Sequence, residues 1–235
     1  MAKIVSFLRD GVESFGVLSK DQKLIADLNL LPAPDFGIFE RPKTALELIS
    51  MGKRGVDVAN NIQEKQNLWP DGGVVKLSEV ELKAPLPRPL SVRDFLSFEL
   101  HLKQCAARQI GQNNWRPPNI WYKRPVFYRG NPLSFVGHLA DVKCPNGSSE
   151  FDYELELGFV IGTTGRDIHA KQAMDHVFGF TIFNDFTARD IQREDVPVNL
   201  GPCFSKDFDS CNAMGPWLVT VDEFSDLSKI KMEAH

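Results

Sequence analysis

The sequence predicts a mixed α/β, β-rich fold, with a small N-terminal α+β domain over residues 1–82 and a larger domain over 83–235. Three observations carry that prediction. Short runs of alternating apolar and polar residues dominate the chain, helical periodicity is confined to a few segments, and Pro85, Pro87 and Pro89 interrupt it with an extended stretch.

Residues 3–29, KIVSFLRDGVESFGVLSKDQKLIADLN, alternate in three runs broken at Asp10-Gly11 and at Ser19-Lys20-Asp21, the pattern of a small antiparallel meander. Residues 42–64 follow a proline start with apolar positions at helical spacing and predict one or two helices. LKAPLPRPL (82–90) excludes a helix and marks the domain boundary. Beyond it, 94–112 reads as a helix that opens on an Asp94 cap and closes near Gly111. Residues 114–148, rich in Pro, Gly and Asn, predict strands between loops. A strand over 151–163, a short amphipathic helix marked by Ala170, Ala173, Met174 and Val177, and a buried strand FGFTIFND (178–185) complete the pattern.

A net charge of −4 leaves no basic footprint for nucleic acid or an anionic membrane surface. No apolar run is long enough to cross a membrane, and MAKIVSFLRDG meets charge and glycine too early for a signal peptide. A cytoplasmic protein is therefore expected. Cys105, Cys144, Cys203 and Cys211 show no paired spacing and read as free thiols in a reducing compartment, and the five histidines form no HExxH or HxH pair.

The chemistry concentrates in FDYELELGF (151–159). On a strand, Asp152, Glu154 and Glu156 would share one face. They are either the wet side of an antiparallel strand or two or three ligands of a cation. Asp185, ending an otherwise apolar strand, is the natural further oxygen donor, and carboxylates of this kind suit Mg²⁺, Mn²⁺ or Ca²⁺. In FNDFTARDIQ, Asp185, Arg189 and Gln192 stand at i, i+4 and i+7, which would place them on one helix face. Arg189 could pair with a substrate carboxylate and Gln192 with an oxyanion; an Asp cap with an ordinary ion pair is the other reading.

In order and spacing, DYELELGFVIG, GFTIFNDFTARDIQ, GPCFSKDFD and MGPWLVT resemble the fumarylacetoacetate hydrolase superfamily over roughly residues 80–225. The resemblance implies a β-sandwich or roll catalytic domain of that family's type behind a small leading domain. It implies Glu154, Glu156 and Asp185 as ligands of Mg²⁺ (or Ca²⁺ or Mn²⁺), with Arg189, Gln192 and Lys206 around metal and substrate. RDFLSFELH is similar to the fumarylacetoacetase pattern in which Asp94 would add a metal ligand and His101 would be the general base. Tyr128 in FYRGNP matches a substrate-contacting tyrosine. The implied activity is metal-dependent hydrolysis of a carbon–carbon bond in a 1,3-diketo or 2-oxo acid, by a homodimer. Decarboxylation, hydration or isomerisation on the same metal site, or a silent metal- or carboxylate-binding homologue, are the alternatives. Gln104 stands where the acylpyruvate hydrolase and oxaloacetate decarboxylase branch carries a glutamate beside its histidine, and Gly137-His138 where many relatives have Pro-Gly. The family pattern continues beyond the position of His235, so a C-terminally incomplete domain, lacking the carboxylate partner of His101, is expected.

Overall fold

A computed structural model describes residues 1–32, 41–111 and 114–234. The expected meander is present as β1 (Lys3–Arg9), β2 (Val12–Leu18) and β3 (Leu24–Asp27). Asp10 and Gly11, at φ 51° and 79°, turn the first hairpin with the left-handed geometry such two-residue turns need. Two helices follow, α1 (Ala45–Ser50) and α2 (Lys53–Glu64). The Thr44 side chain caps α1 by accepting the Glu47 N–H at 3.2 Å, and Glu47 answers by accepting the Lys43 N–H at 2.7 Å. Val56, Val58, Ala59 and Ile62 of α2 join Ile4, Val17, Leu48 and Phe178 in the main core between helices and sheet.

The chain continues through β4 (Val74–Lys76), β5 (Glu81–Leu82) and β6 (Asp94–Phe95) to α3 (Glu99–Ile110). Then come β7 (Phe127–Tyr128), β8 (Phe135–Val136), β9 (Phe151–Asp152), β10 (Leu155–Ile161), β11 (Val177–Asp185) and β12 (Thr187–Ala188). Last are α4 (Arg189–Asp195) and β13 (Asn212–Thr220). Among the described residues, a nine-stranded sheet runs β10-β11-β13-β1-β2-β3-β4, with β5 beside β1 and β8 beside β13. It is antiparallel except at β8–β13, and its joint is β1 against β13, with Lys3 opposite Val219. The sheet therefore runs across the sequence position where the domain boundary was expected.

Several local expectations are corrected. Asp94 does not cap a helix: it lies in β6, opposite Tyr128 of β7, and α3 starts later behind an N-cap at Phe98 that makes no side-chain bond. Its C-cap is Gly111 at φ 65°, as the sequence suggested; Gln112 lies outside the described residues. Between Asn114 and Ser148 the only strands among the described residues are the two-residue β7 and β8. The segment Ala170–His176 forms a 3₁₀ helix with no buried residue rather than an amphipathic α-helix. The carboxylate strand is broken: β9 leaves the large sheet to pair with β12, and β10 resumes only at Leu155.

Candidate metal centre

The break in the strand decides which acids meet. Asp152 pairs with Thr187 across β9–β12, and its Oδ2 accepts the Arg189 Nε–H at 2.8 Å, so it faces the guanidinium. Glu154 sits in the break, its N–H donating to Asn184 Oδ1 at 3.1 Å and its carbonyl accepting the Asp185 N–H at 3.2 Å. Glu156 is on β10 opposite Phe183, and Asp185 ends β11. Asp94 arrives from β6, held by its pairing with Tyr128, whose hydroxyl donates to Asp185 Oδ2 at 2.9 Å. Asp94, Glu154, Glu156 and Asp185 thus each bring a carboxylate oxygen to within 4.8 Å of the others.

Lys206 closes this pocket. Its ammonium, 3% exposed, donates to Glu154 Oε2 at 2.8 Å and also to Asp185 Oδ2. Arg189 Nη1 donates to Glu154 Oε1 at 2.6 Å and to Gln192 Oε1 at 3.1 Å. The expectation that Asp185, Arg189 and Gln192 share one helix face is corrected: Asp185 ends a strand, α4 begins at Arg189, and Arg189 grips Glu154 and Asp152. Gln192 adjoins the cluster through Arg189. His101 is exposed on α3, and its Nε2 lies 3.5 Å from Cys105 Sγ one turn on. Its imidazole is not among the groups that converge on the four carboxylates. His138 lines an open groove with Leu82, Phe135 and Trp217.

The electrostatics are those of crowded acids in a half-dry pocket. Burial and the neighbouring charges of Asp94, Asp185 and Glu154 push the Glu156 carboxyl up to about 8. Burial and Asp185 raise Asp94 to about 6. Burial also raises Asp185 and drives the Tyr128 phenol far above its usual range, with Asp185 and Asp94 adding to the effect. Burial opposes the charge on Glu154 too, but Lys206 and Arg189 outweigh it and hold the carboxyl below its ordinary value. For Lys206 the cost of burial is overcome by Asp185 and Glu154, and the ammonium is kept charged.

A hard divalent cation fits this pocket on two counts. The four candidate ligands are all carboxylates, the hard oxygen donors such a cation takes, and the two cations beside them, Lys206 and Arg189, reach only Glu154 and Asp185 of the four. Asp185 Oδ1 is buried without a hydrogen-bond partner while Oδ2 is doubly bonded, and a buried carboxylate oxygen left unpaired is costly. Asn184 and Asp152, which the sequence reading left without these roles, orient Glu154 and Arg189; the Asn-Asp pair closing β11 was the available signal for the first.

The fold and the acid-lined pocket together define a class. Residues 91–235 match the family described as fumarylacetoacetate (FAA) hydrolase, C-terminal, and the chain belongs to the fumarylacetoacetate hydrolase family. Among its relatives, oxaloacetate tautomerase YisK of Bacillus subtilis is 31% identical over 222 residues, spanning 93% of this chain and 69% of that protein. Fumarylacetoacetase of Arabidopsis thaliana is 34% identical over 164 residues, 63% of this chain and 38% of its own length. The human mitochondrial oxaloacetate tautomerase FAHD2A is 34% identical over 194 residues, 81% and 55%. The chain therefore spans between about a third and about two thirds of these relatives. The fumarylacetoacetate hydrolase of Exiguobacterium antarcticum superposes with a TM-score of 0.62 at 26% identity, covering 96% of this chain and 69% of that one. Maleylpyruvate hydrolase of Sphingobium, solved with manganese(II) and pyruvate, shares the fold at a TM-score of 0.63 and 22% identity, covering 95% and 69%. These names are those of enzymes, hydrolases and tautomerases alike. No helix among the described residues is long and apolar enough to cross a membrane.

Proposed function

We propose that the chain is a divalent-metal-dependent enzyme that interconverts the keto and enol forms of a small 2-oxo acid of the oxaloacetate type. The observation that carries this reading is the convergence of Asp94, Glu154, Glu156 and Asp185 around an unpaired Asp185 Oδ1, with Lys206 beside them. The similarity to an oxaloacetate tautomerase over 93% of the chain supports the choice of reaction. A cation held by the four carboxylates would supply Lewis-acid charge to the substrate's oxygens.

The chain's own groups supply charge and positioning around that cation. Lys206, held charged by its two carboxylates, places a fixed positive charge where negative charge develops on the enolate oxygen. Tyr128 stays a neutral phenol and fixes Asp185 through Oδ2, leaving Oδ1 for the cation. Arg189 holds Glu154 and Asp152 in register and adds positive charge to one side of the pocket.

Hydrolysis of a carbon–carbon bond in a 1,3-diketo acid is the second reading. The Asp94 and His101 spacing and the 34% identity to a fumarylacetoacetase favour it. It requires His101 to leave Cys105 and reach the pocket as the base that activates water.

Decay of enol-oxaloacetate absorbance, measured with Mg²⁺ or Mn²⁺, with EDTA and in His101→Ala, separates these readings, alongside a panel of acylpyruvates and fumarylacetoacetate. The expected result is chelator-sensitive enol decay that survives loss of His101. Diketo acid cleavage that needs His101 would replace tautomerisation with hydrolysis. Metal binding with no turnover on any substrate would leave a metal- or carboxylate-binding protein.

A further inference from the structure

We infer that Asp195 is a positioning residue for Lys206, acting through the backbone of Ser205; the inference rests on the functional reading above. Asp195 is the last residue of α4, and the chain then loops through residues 196–204 before delivering Lys206 to the pocket. Its Oδ2 reaches across the base of that loop and accepts two backbone hydrogen bonds, from Cys203 N–H at 3.0 Å and Ser205 N–H at 2.9 Å. The Ser205 carbonyl accepts the Ala188 N–H at 3.0 Å, and the Lys206 N–H donates to the Cys203 carbonyl at 3.1 Å.

Ser205 is therefore pinned on both sides, by the last residue of α4 and by the residue that precedes the helix. Lys206 is the next residue. Its side chain is long and rich in rotamers, yet it is buried and makes two charged contacts, to Glu154 and Asp185. Those contacts depend on where the main chain starts. The loop opens with a 3₁₀ turn, Val196–Val198, and beyond it Leu200 and Phe204 project into solvent, so the Asp195 bonds are what tie its far end back to α4. With the Asp195 carboxylate removed, the Cys203 and Ser205 amides lose their shared acceptor, and the launching point of Lys206 keeps only the Ala188 bond to the Ser205 carbonyl and its own bond to Cys203. Asparagine at the same place keeps an oxygen that both amides can reach.

A double-mutant cycle tests this in the full chain with Asp195→Ala, Lys206→Met and the pair, and with Asp195→Asn as the conservative variant. Two quantities are read: kcat and KM for enol-oxaloacetate, and Mn²⁺ affinity by titration. Asp195→Ala is expected to lower kcat roughly tenfold, as loss of an outer support to a metal site does, with a much smaller change in KM. In the Lys206→Met background the same substitution should change kcat and Mn²⁺ affinity by less than about twofold. Asp195→Asn should recover most of the wild-type values. Equal fold losses in both backgrounds, or an Asn variant as impaired as Ala, would overturn the inference. If the wild type turns over no oxo acid, the functional reading falls and the Mn²⁺ cycle alone decides the role of Asp195. A wild type that binds no Mn²⁺ overturns both.

Discussion

Tyr128 and Lys206 donate to the same oxygen of Asp185, Oδ2, and leave Oδ1 buried without a partner. One carboxylate is thus saturated on one side and open on the other. That is how an outer hydrogen bond aims a ligand: it fixes the plane of the carboxylate and directs the remaining lone pairs at a single point.

Tyr128→Phe removes one of the two donors while keeping the ring. Mn²⁺ affinity should fall roughly 10- to 100-fold, the usual cost of losing an outer-sphere partner. The melting temperature of the metal-free protein should change little. An isothermal titration of both proteins with MnCl₂ reads the first quantity, and a thermal scan in EDTA the second.

Acidity should govern the metal-free protein. Glu156, raised to about 8, and Asp94, raised to about 6, bind protons in the folded chain that they release on unfolding at the same pH. Their contribution to stability is therefore full below the ordinary carboxylate range and is lost as pH rises through about 6 and then about 8. The melting temperature in EDTA should drop between pH 6 and 8, and saturating Mn²⁺ should abolish most of that drop. Because the cation displaces the Glu156 proton, its affinity should tighten by up to about tenfold per pH unit over the same interval.

Arg189→Lys keeps the charge and loses the fork. Arg189 bonds Asp152 through Nε and Glu154 through Nη1, and one ammonium cannot reproduce that pair. With charge-assisted bonds worth about 1.5–3 kcal/mol, kcat/KM should fall roughly 10- to 100-fold. A substitution that left turnover within twofold of wild type would remove Arg189 from the machinery.

Gly55→Ala probes the packing of α2 on the sheet. Helix propensity alone would gain about 1 kcal/mol from this change. Here a methyl group would overlap the Leu48 carbonyl oxygen and lie 3.0 Å from Cε2 of Phe178, a fully buried ring. Denaturant unfolding should show destabilisation, the opposite sign. Phe178→Ala should cost about 3–5 kcal/mol through the cavity it leaves.

What the sequence revealed follows the range of the interactions concerned. The meander was legible because its hairpin turn and alternation are local, and so was the pairing of Glu154 with Glu156, two residues apart. The helix-cap reading of Asp94 fails because its actual partner is Tyr128 on β7, and no periodicity around Asp94 announces a strand of two residues. Asp152 was grouped with Glu154 because alternation assumes an unbroken strand; the break is imposed by β12, which lies some thirty-five residues on and draws β9 away. The hydrogen bond that joins the Ala2 amide to the Thr220 hydroxyl spans nearly the whole sequence and has no local signature at all.

The place of β1 in the sheet has a consequence for biosynthesis. The edge of β1 that faces β13 and β5 is covered in two instalments: Phe7 and Leu8 by β5, at residues 81–82, and Lys3 and Ile4 by β13, at residues 218–219. At 5–20 residues per second a ribosome needs on the order of ten seconds or more to pass from β1 to β13. Throughout that interval the nascent chain carries an uncovered backbone edge at Lys3-Ile4, a template for pairing with another nascent chain. That stretch of edge stays open to mispairing until β13 leaves the exit tunnel.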